Sequence, residues 1–299
     1  MKKFIISDIH GNSNIYYSIM NYLENINKEE EVKLYINGDI IDRGEDSAEI
    51  LLDLRERILQ NKGIKIEYLG GNHELMMYQA SLERRNGVWP VYSDWFYNMG
   101  WVTAYALEDL VTEQEENEII KFISNLKIYH RFKETLDDKE IVLVHAKCPE
   151  NPLYNCNLKV EDNTYEIEEL LWTRKFYPRS LIKHKIGNDD YFTIIGHTPL
   201  NTATGYNYDE EENTLNIDGG CAPYVIGRNE FNHSPLVEID SNNNRLKILT
   251  FNNNNEIIQG NYFVEKKSIP MDNIELDKNR KYINKKVKTK KFTMHNNKD

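Results

Sequence analysis

Gly38-Asp39-Ile40-Ile41-Asp42-Arg43-Gly44 follows directly on the apolar-rich run Val32-Lys33-Leu34-Tyr35-Ile36-Asn37. The run predicts a strand, and the heptapeptide packs two carboxylates and a guanidinium into the turn that ends it. Gly, Asp and Asp-Arg-Gly are also ordinary turn chemistry, so by itself the stretch supports two readings. In the functional one, Asp39 sits just past the strand end with its side chain directed into a cleft. Asp42 orients a neighbouring acid or base, and Arg43 offers a planar fork for phosphate oxygens. The rest of the chain decides between them, because the same rhythm recurs.

Residues 3–7 form a short apolar run that leads into Asp8-Ile9-His10-Gly11. A helical pattern of Ile15, Tyr16, Ile19, Met20 and Leu23 comes next, with Asn12 or Ser13 as its N-cap. Beyond the central motif, Ser47 is placed to cap a helix with Ile50, Leu51, Leu54 and Ile58 at helical spacing. Residues 64–69 are a third strand and deliver Gly70-Gly71-Asn72-His73-Glu74. Residues 75–139 are expected to be mostly helical. They include an aromatic-rich block from Val88 to Trp101, read either as core packing or as one wall of a site. Ile141-Val142-Leu143-Val144 is a fourth strand ending at His145, and Leu170 to Arg174 closes a short helix. Residues 191–195 are a further strand, ending in Gly196-His197-Thr198-Pro199. The runs near Leu215, Leu236 and Leu246 are expected to form a meander of strands with Asn-rich turns. Alternation of strand, motif and helix is the signature of an α/β protein, in which functional groups collect where strands end.

The chain has 299 residues, 40% of them hydrophobic and 28% charged, which describes a globular protein with a real core. No apolar run reaches the ~18 residues of a membrane span, and the N-terminal apolar stretch is too short for a signal peptide. The expectation is therefore a cytoplasmic protein with no membrane partner. Three cysteines at irregular spacing (Cys148, Cys156, Cys221) make neither a disulfide framework nor a zinc knuckle, and read as unpaired thiols. The net charge of −11 is uneven, since residues 266–299 hold eleven Lys/Arg against four Asp/Glu. Residues 1–265 read as one catalytic domain and residues 266–299 as a basic tail, partly disordered, able to contact an anionic partner. The acidic body argues against nucleic-acid binding, which needs a basic footprint.

Each of five predicted strands ends in a polar cluster: Asp8/His10, Asp39, Asn72/His73, His145 and His197. An isolated histidine after a strand is usually structural, but five such clusters have no common structural reason. Carboxylate, amide and imidazole donors without cysteine suit manganese, iron or zinc in a catalytic rather than a structural site. Asp8, His10, Asp39, Asn72, His145 and His197 are too many for one catalytic ion. They divide between two if Asp39, on a central strand, bridges. Paired ions hold a phosphate and activate a water for in-line attack. His73 is then available as general acid, with Asp42 accepting from its ring N–H, and Arg43 and Arg174 clamp the remaining phosphate oxygens.

Asp8-Ile9-His10-Gly11, Gly38-Asp39-x-x-Asp42-Arg43-Gly44, Gly71-Asn72-His73-Glu74, Val144-His145-Ala146 and Gly196-His197-Thr198-Pro199 resemble, in order, the motifs of the calcineurin-type metallophosphoesterases. The resemblance spans about residues 3–221. It implies a two-sheet β-sandwich flanked by helices. It also implies Asp8, His10 and Asp39 on one metal, and Asp39, Asn72, His145 and His197 on the second. His73 is implied as the acid with Asp42 as its partner, and Arg43 and Arg174 as phosphate ligands; manganese is the expected metal, with iron or zinc as alternatives.

Within that group the chain is most similar to the phosphoprotein phosphatases, and in Leu171-Trp172-Thr173-Arg174 followed by Gly196-His197-Thr198-Pro199 to the bacterial and phage lambda type. The symmetrical diadenosine tetraphosphatases share the core but usually carry Ala at the place of Asp42 and Asp at that of Glu74. The implied activity is hydrolysis of phosphomonoesters, with Ser/Thr phosphoproteins as substrates and dinucleotides or other nucleotides as the alternative. A silent phosphate-binding scaffold is the competing class, disfavoured because His73 and Asp42 are both kept. Lys147-Cys148-Pro149 departs from the glycine-containing sequence that often follows the third histidine motif, which bears on substrate choice rather than on metal chemistry.

Overall fold

The computed structural model describes residues 1–85, 93–152, 156–159, 164–176, 183–222, 233–264 and 267–271. β1 (Lys2–Ile6), β2 (Val32–Asn37) and β3 (Lys65–Leu69) run parallel, joined by α1 (Ser13–Asn27) and α2 (Ser47–Gln60). The period of two sends alternate side chains of a strand to opposite faces. Phe4 and Ile6 of β1, with Leu34 and Ile36 of β2, pack under the helices against Ile15, Ile19 and Leu23 of α1. Ile5 and Tyr35 point the other way, into a second core. Strands buried on both faces read as continuous apolar runs, which is why these were legible.

β1 is central. On its other side it pairs antiparallel with β9 (His233–Asp240), followed by β10 (Arg245–Asn252), β11 (Ile257–Val264) and β12 (Lys267–Pro270). A second sheet runs in the order β4 (Tyr129–Leu136), β5 (Lys139–Val144), β6 (Tyr191–Ile195), β8 (Thr214–Asn216), β7 (Asn207–Asp209). Leu143, Phe192, Ile194 and Leu215 of this sheet meet Ile5, Val237, Ile248 and Phe263 of the first to form the seam of the sandwich. Helices α3 (Asn72–Arg85), α4 (Asp94–Tyr97), α5 (Trp101–Leu110) and α6 (Glu113–Ser124) follow β3, and α7 (Thr164–Trp172) follows β5. The expected two-sheet α/β sandwich is the observed fold. Among the described residues no helix is long and apolar enough to cross a membrane, and Cys148, Cys156 and Cys221 are free thiols.

Three local expectations are corrected. Residues 75–139 are not mostly helical to their end: Tyr129–Leu136 is the edge strand β4. The run at Leu215 does not begin a meander with Leu236 and Leu246; β8 lies parallel to β6 in the other sheet. Ser47 does not cap α2, because its hydroxyl donates to the Gly44 carbonyl at 2.6 Å, whereas Asn12 does cap α1 by accepting from Ile15 N. Pairing with β11 carries the first sheet to Pro270, so β12 lies within the stretch read as a tail. The rest of that stretch, residue 266 and residues 272–299, and residues 88–92 of the aromatic block lie outside the described residues.

Candidate active site

The parallel strands β1, β2 and β3 of one sheet and β5 and β6 of the other all end at the same edge of the sandwich. The ends of β1, β2 and β6 turn sharply through left-handed backbone. Asp8, His10, Asp39, Asp42, Arg43 and His197 all have left-handed backbone, with φ between 47° and 71°. Non-glycine residues held there cost about 1–3 kcal/mol each, and such strain concentrates where side chains must be aimed. Gly38 (φ 78°) and Gly71 let the ends of β2 and β3 come together. A Cβ on Gly38 would lie 2.5 Å from the Gly71 backbone, and one on Gly71 would lie 2.3 Å from Asp39 Oδ1.

The buried side chains that result form two clusters sharing Asp39. Ligand atoms of His10, Asp39 and His73 lie within 4.8 Å of one another, as do those of Asp39, His145 and His197. His145 Nδ1–H donates to the Asn37 carbonyl at 2.8 Å, so in the neutral ring Nε2 carries the lone pair. That lone pair points at Asn72 Oδ1 (2.9 Å) and Asp39 Oδ2 (3.4 Å). His197 Nδ1 lies 2.9 Å from the same Asn72 oxygen. His10 is fixed likewise, with Nδ1–H on the Ile41 carbonyl at 2.9 Å and Nε2 turned to Asp39 Oδ2 at 3.5 Å. Lone pairs converging in a buried space require a cation, and this donor set fits a pair of divalent ions. Asp39, His145, His197 and Asn72 would hold one ion and His10 and Asp39 the other. Asp8 stands beside them, its carboxylate accepting from the His197 amide at 3.1 Å.

The charge states of His10, His197 and Asp39 agree with that reading. Burial, then Arg43 and His73, push the His10 imidazolium well below its usual range; burial, then His145 and Arg174, do the same for His197. Both rings are thus neutral, as a metal-ligating imidazole must be. Burial alone would raise Asp39, but the neighbouring His145, His73 and His10 hold its carboxyl well below the usual carboxylate range. His145 is pushed the other way: against the effect of burial, Asp39 raises it to about 10, so without a cation the ring holds on Nε2 the proton that a bound ion would displace. Burial and the charges of Asp218 and Asp39 push Asp8 well up, and burial pushes Asp218 up to about 6. Carboxylates crowded here without cations repel one another.

His73 lies at the start of α3, fully buried, with Nδ1–H donating to Asp42 Oδ2 at 2.6 Å. The Arg43 fork spans His10 Nε2 (2.8 Å) and His73 Nε2 (2.9 Å). Arg174 lies on the opposite flank, donating from Nε to His197 Nε2 at 3.2 Å and from its terminal nitrogen to the His197 carbonyl at 3.3 Å. Every site residue singled out in the sequence is therefore at this edge.

Sequence reasoning singled out none of Glu74, Trp95 and Thr103 as a site residue. Glu74, fully buried, accepts from the amides of Gly71 (2.8 Å), Asp39 (2.9 Å) and Ile40 (3.1 Å) and from the Tyr68 hydroxyl (2.6 Å). It ties Asp39, the residue common to both clusters, to the start of α3. Its place directly after Asn72-His73 was the one signal available. Trp95, from the aromatic block, and Thr103, just beyond it, bond Asp42 from behind, both buried.

Fold and site together define a metal-dependent hydrolase of phosphoesters. Residues 1–227 match the model of the calcineurin-like phosphoesterases, and the chain belongs to that family. It is 26% identical over 240 residues to an asymmetrical bis(5'-nucleosyl)-tetraphosphatase of Anoxybacillus flavithermus, covering 73% of this chain and 84% of the relative. Among solved structures, a protein serine/threonine phosphatase from Saccharomyces cerevisiae aligns with a TM-score of 0.52 at 16% identity, over 84% of this chain and 79% of that one. A cold-active protein tyrosine phosphatase aligns with a TM-score of 0.50 at 15% identity, over 83% and 75%. At those identities the two structures speak to the fold alone.

Proposed function

We propose that the chain is a dinuclear phosphatase acting on phosphomonoesters, with Ser/Thr phosphoproteins as its substrate class. The observation that carries this is the buried His73–Asp42 pair, joined at 2.6 Å beside the Arg43 fork. A serine or threonine alkoxide is a poor leaving group and departs only with a proton, whereas a nucleotide leaving from a polyphosphate needs less help. A histidine fixed by a buried carboxylate, with Nε2 facing the place where Arg43 takes phosphate oxygens, supplies that proton. Divalent ions, when bound, orient the phosphate and activate water. The protein's own part is to hold the oxygens between Arg43 and Arg174, protonate the leaving oxygen from His73 Nε2, and keep the imidazolium on Asp42. A dinucleoside polyphosphate is the second reading, favoured by the relative at 26% identity.

Phosphate release in the presence of manganese separates them. The panel sets phosphoserine and phosphothreonine peptides beside diadenosine tetraphosphate and mononucleotides, with Asp39→Asn as the blank. Fast turnover of the peptides is expected, with loss of at least about 10³-fold in the Asn variant. Preferential cleavage of the dinucleotide would keep the metal ligands and overturn the substrate class. An inert protein that still binds its metals would be a scaffold.

A further inference from the structure

Asp42 is fully buried, and its carboxylate is gripped on both oxygens. Oδ2 accepts from His73 Nδ1 at 2.6 Å and from the Trp95 indole at 2.8 Å. Oδ1 accepts from the Thr103 hydroxyl at 2.6 Å, while the same hydroxyl oxygen accepts the Asp42 amide at 3.0 Å. Thr103 thus closes a ring on one residue, bracing both its carboxylate and its left-handed backbone (φ 71°).

A carboxylate bonded only to histidine swings about its Cβ–Cγ bond, and the imidazole swings with it. One held on both oxygens cannot. The direction in which His73 Nε2 points is then set by α4 and α5, whose Trp95 and Thr103 lie 53 and 61 residues away from Asp42 in the chain. Trp95 is itself held. A Cβ on Gly100 would lie 2.3 Å from both indole Cδ1 and Nε1, so the indole packs flush on that glycine. Gly100 has φ −65°, ordinary helical backbone, so the indole is what an alanine there would meet.

We infer that Trp95 and Thr103 are positioning residues for proton delivery to the leaving group, acting through Asp42, with Gly100 setting the place of the indole. The inference rests on His73 being the acid. It is distinct from a packing role because it ties these residues to one event, the departure of a basic oxygen. A proton placed correctly matters for an alkoxide and hardly at all for a nitrophenolate, which leaves unaided.

The test is kcat of the full chain, loaded with manganese, on an alkyl phosphate and on para-nitrophenyl phosphate. Trp95→Phe, Thr103→Val and Gly100→Ala are compared with wild type. Each is expected to lose about tenfold on the alkyl ester and less than about twofold on the aryl ester. Thr103→Ser, which keeps the hydroxyl, is expected to recover the alkyl rate. Equal losses on both esters, or none on the alkyl ester, would overturn the inference. His73→Ala measured alongside separates the two levels. If it spares the aryl ester while the other variants do not, the acid stands and the positioning role falls. If His73→Ala itself lowers both esters alike, the acid assignment fails first.

Discussion

Asp39 carries the site, and Glu74 carries Asp39. One buried carboxylate accepts the amides of Gly71, Asp39 and Ile40 together with a tyrosine hydroxyl. Burial and the charge of Asp39 raise it above its ordinary value, and the hydrogen bonds from Tyr68, Asp39 N and Gly71 N oppose the rise. Glu74→Gln turns one acceptor into a donor facing a backbone N–H. Bonds to a charged acceptor and the penalty for an unmet buried amide together predict a loss of about 2–3 kcal/mol in urea unfolding. Metal content should fall with it, because the Asp39 backbone is no longer pinned; retention of two ions per chain at wild-type stability would contradict this. The ligands themselves were legible because chemistry-bearing residue types recur just past apolar runs. Glu74, Trp95 and Thr103 were not. Their partners stand 34, 53 and 61 residues away in the chain, and nothing in the local pattern of an indole or a hydroxyl announces a distant carboxylate.

At the scale of elements, the strands buried on both faces stood out and the edge strands did not. Tyr129-His130-Arg131-Phe132-Lys133-Glu134-Thr135-Leu136 has only Phe132 and Leu136 fully in the core, so its polar residues mask its period. β7 is three residues long, too short to show a pattern. The edge is nevertheless tied down by charge. Glu67 of β3 accepts from Lys33 of β2 at 2.7 Å, from Lys127 at 3.0 Å and from His130 of β4 at 2.9 Å, linking the two sheets. Burial alone would raise its carboxyl, but these partners hold it well below the usual range. A depressed folded value means stabilisation that is complete above the unfolded pKa of about 4.3 and fades as pH falls towards the folded one. Solvent reaches the cluster, so its contribution is about 1 kcal/mol. Glu67→Gln should be less stable than wild type by that amount at pH 7, and the gap should shrink steadily below about pH 4. A gap independent of pH would show that packing, not charge, is what Gln lost.

For the molecule as a whole, the convergence of Asp39, His145, His197 and Asn72 predicts a stability that depends on cations. Binding to the native state adds about 2.7 kcal/mol at a hundredfold excess over Kd. Two to four degrees per kcal/mol then predicts a rise of about 5–10 °C in Tm on adding manganese to chelator-treated protein. Asp39→Asn should lose most of that rise, since both clusters contain Asp39. An unchanged rise would remove Asp39 from the bridging position. The sandwich was readable from the strand–motif rhythm. Which strands join which sheet was not, because β8 and β9 follow one another in sequence yet belong to opposite layers.

The placement of β1 has a further consequence, for synthesis. Its partner on one side, β2, follows within one crossover, but on the other side Lys3 waits for Ile239 and Ile5 for Val237. Through most of translation the nascent chain displays an apolar strand with one unpaired edge, next to Asp8 and His10 that have not yet met His197. Such an edge is a template for any other extended chain, and non-local closure of this kind is slow. Only when Val237-Glu238-Ile239 has emerged from the ribosome can β1 gain its second partner, with β10 to β12 still to be added to the sheet.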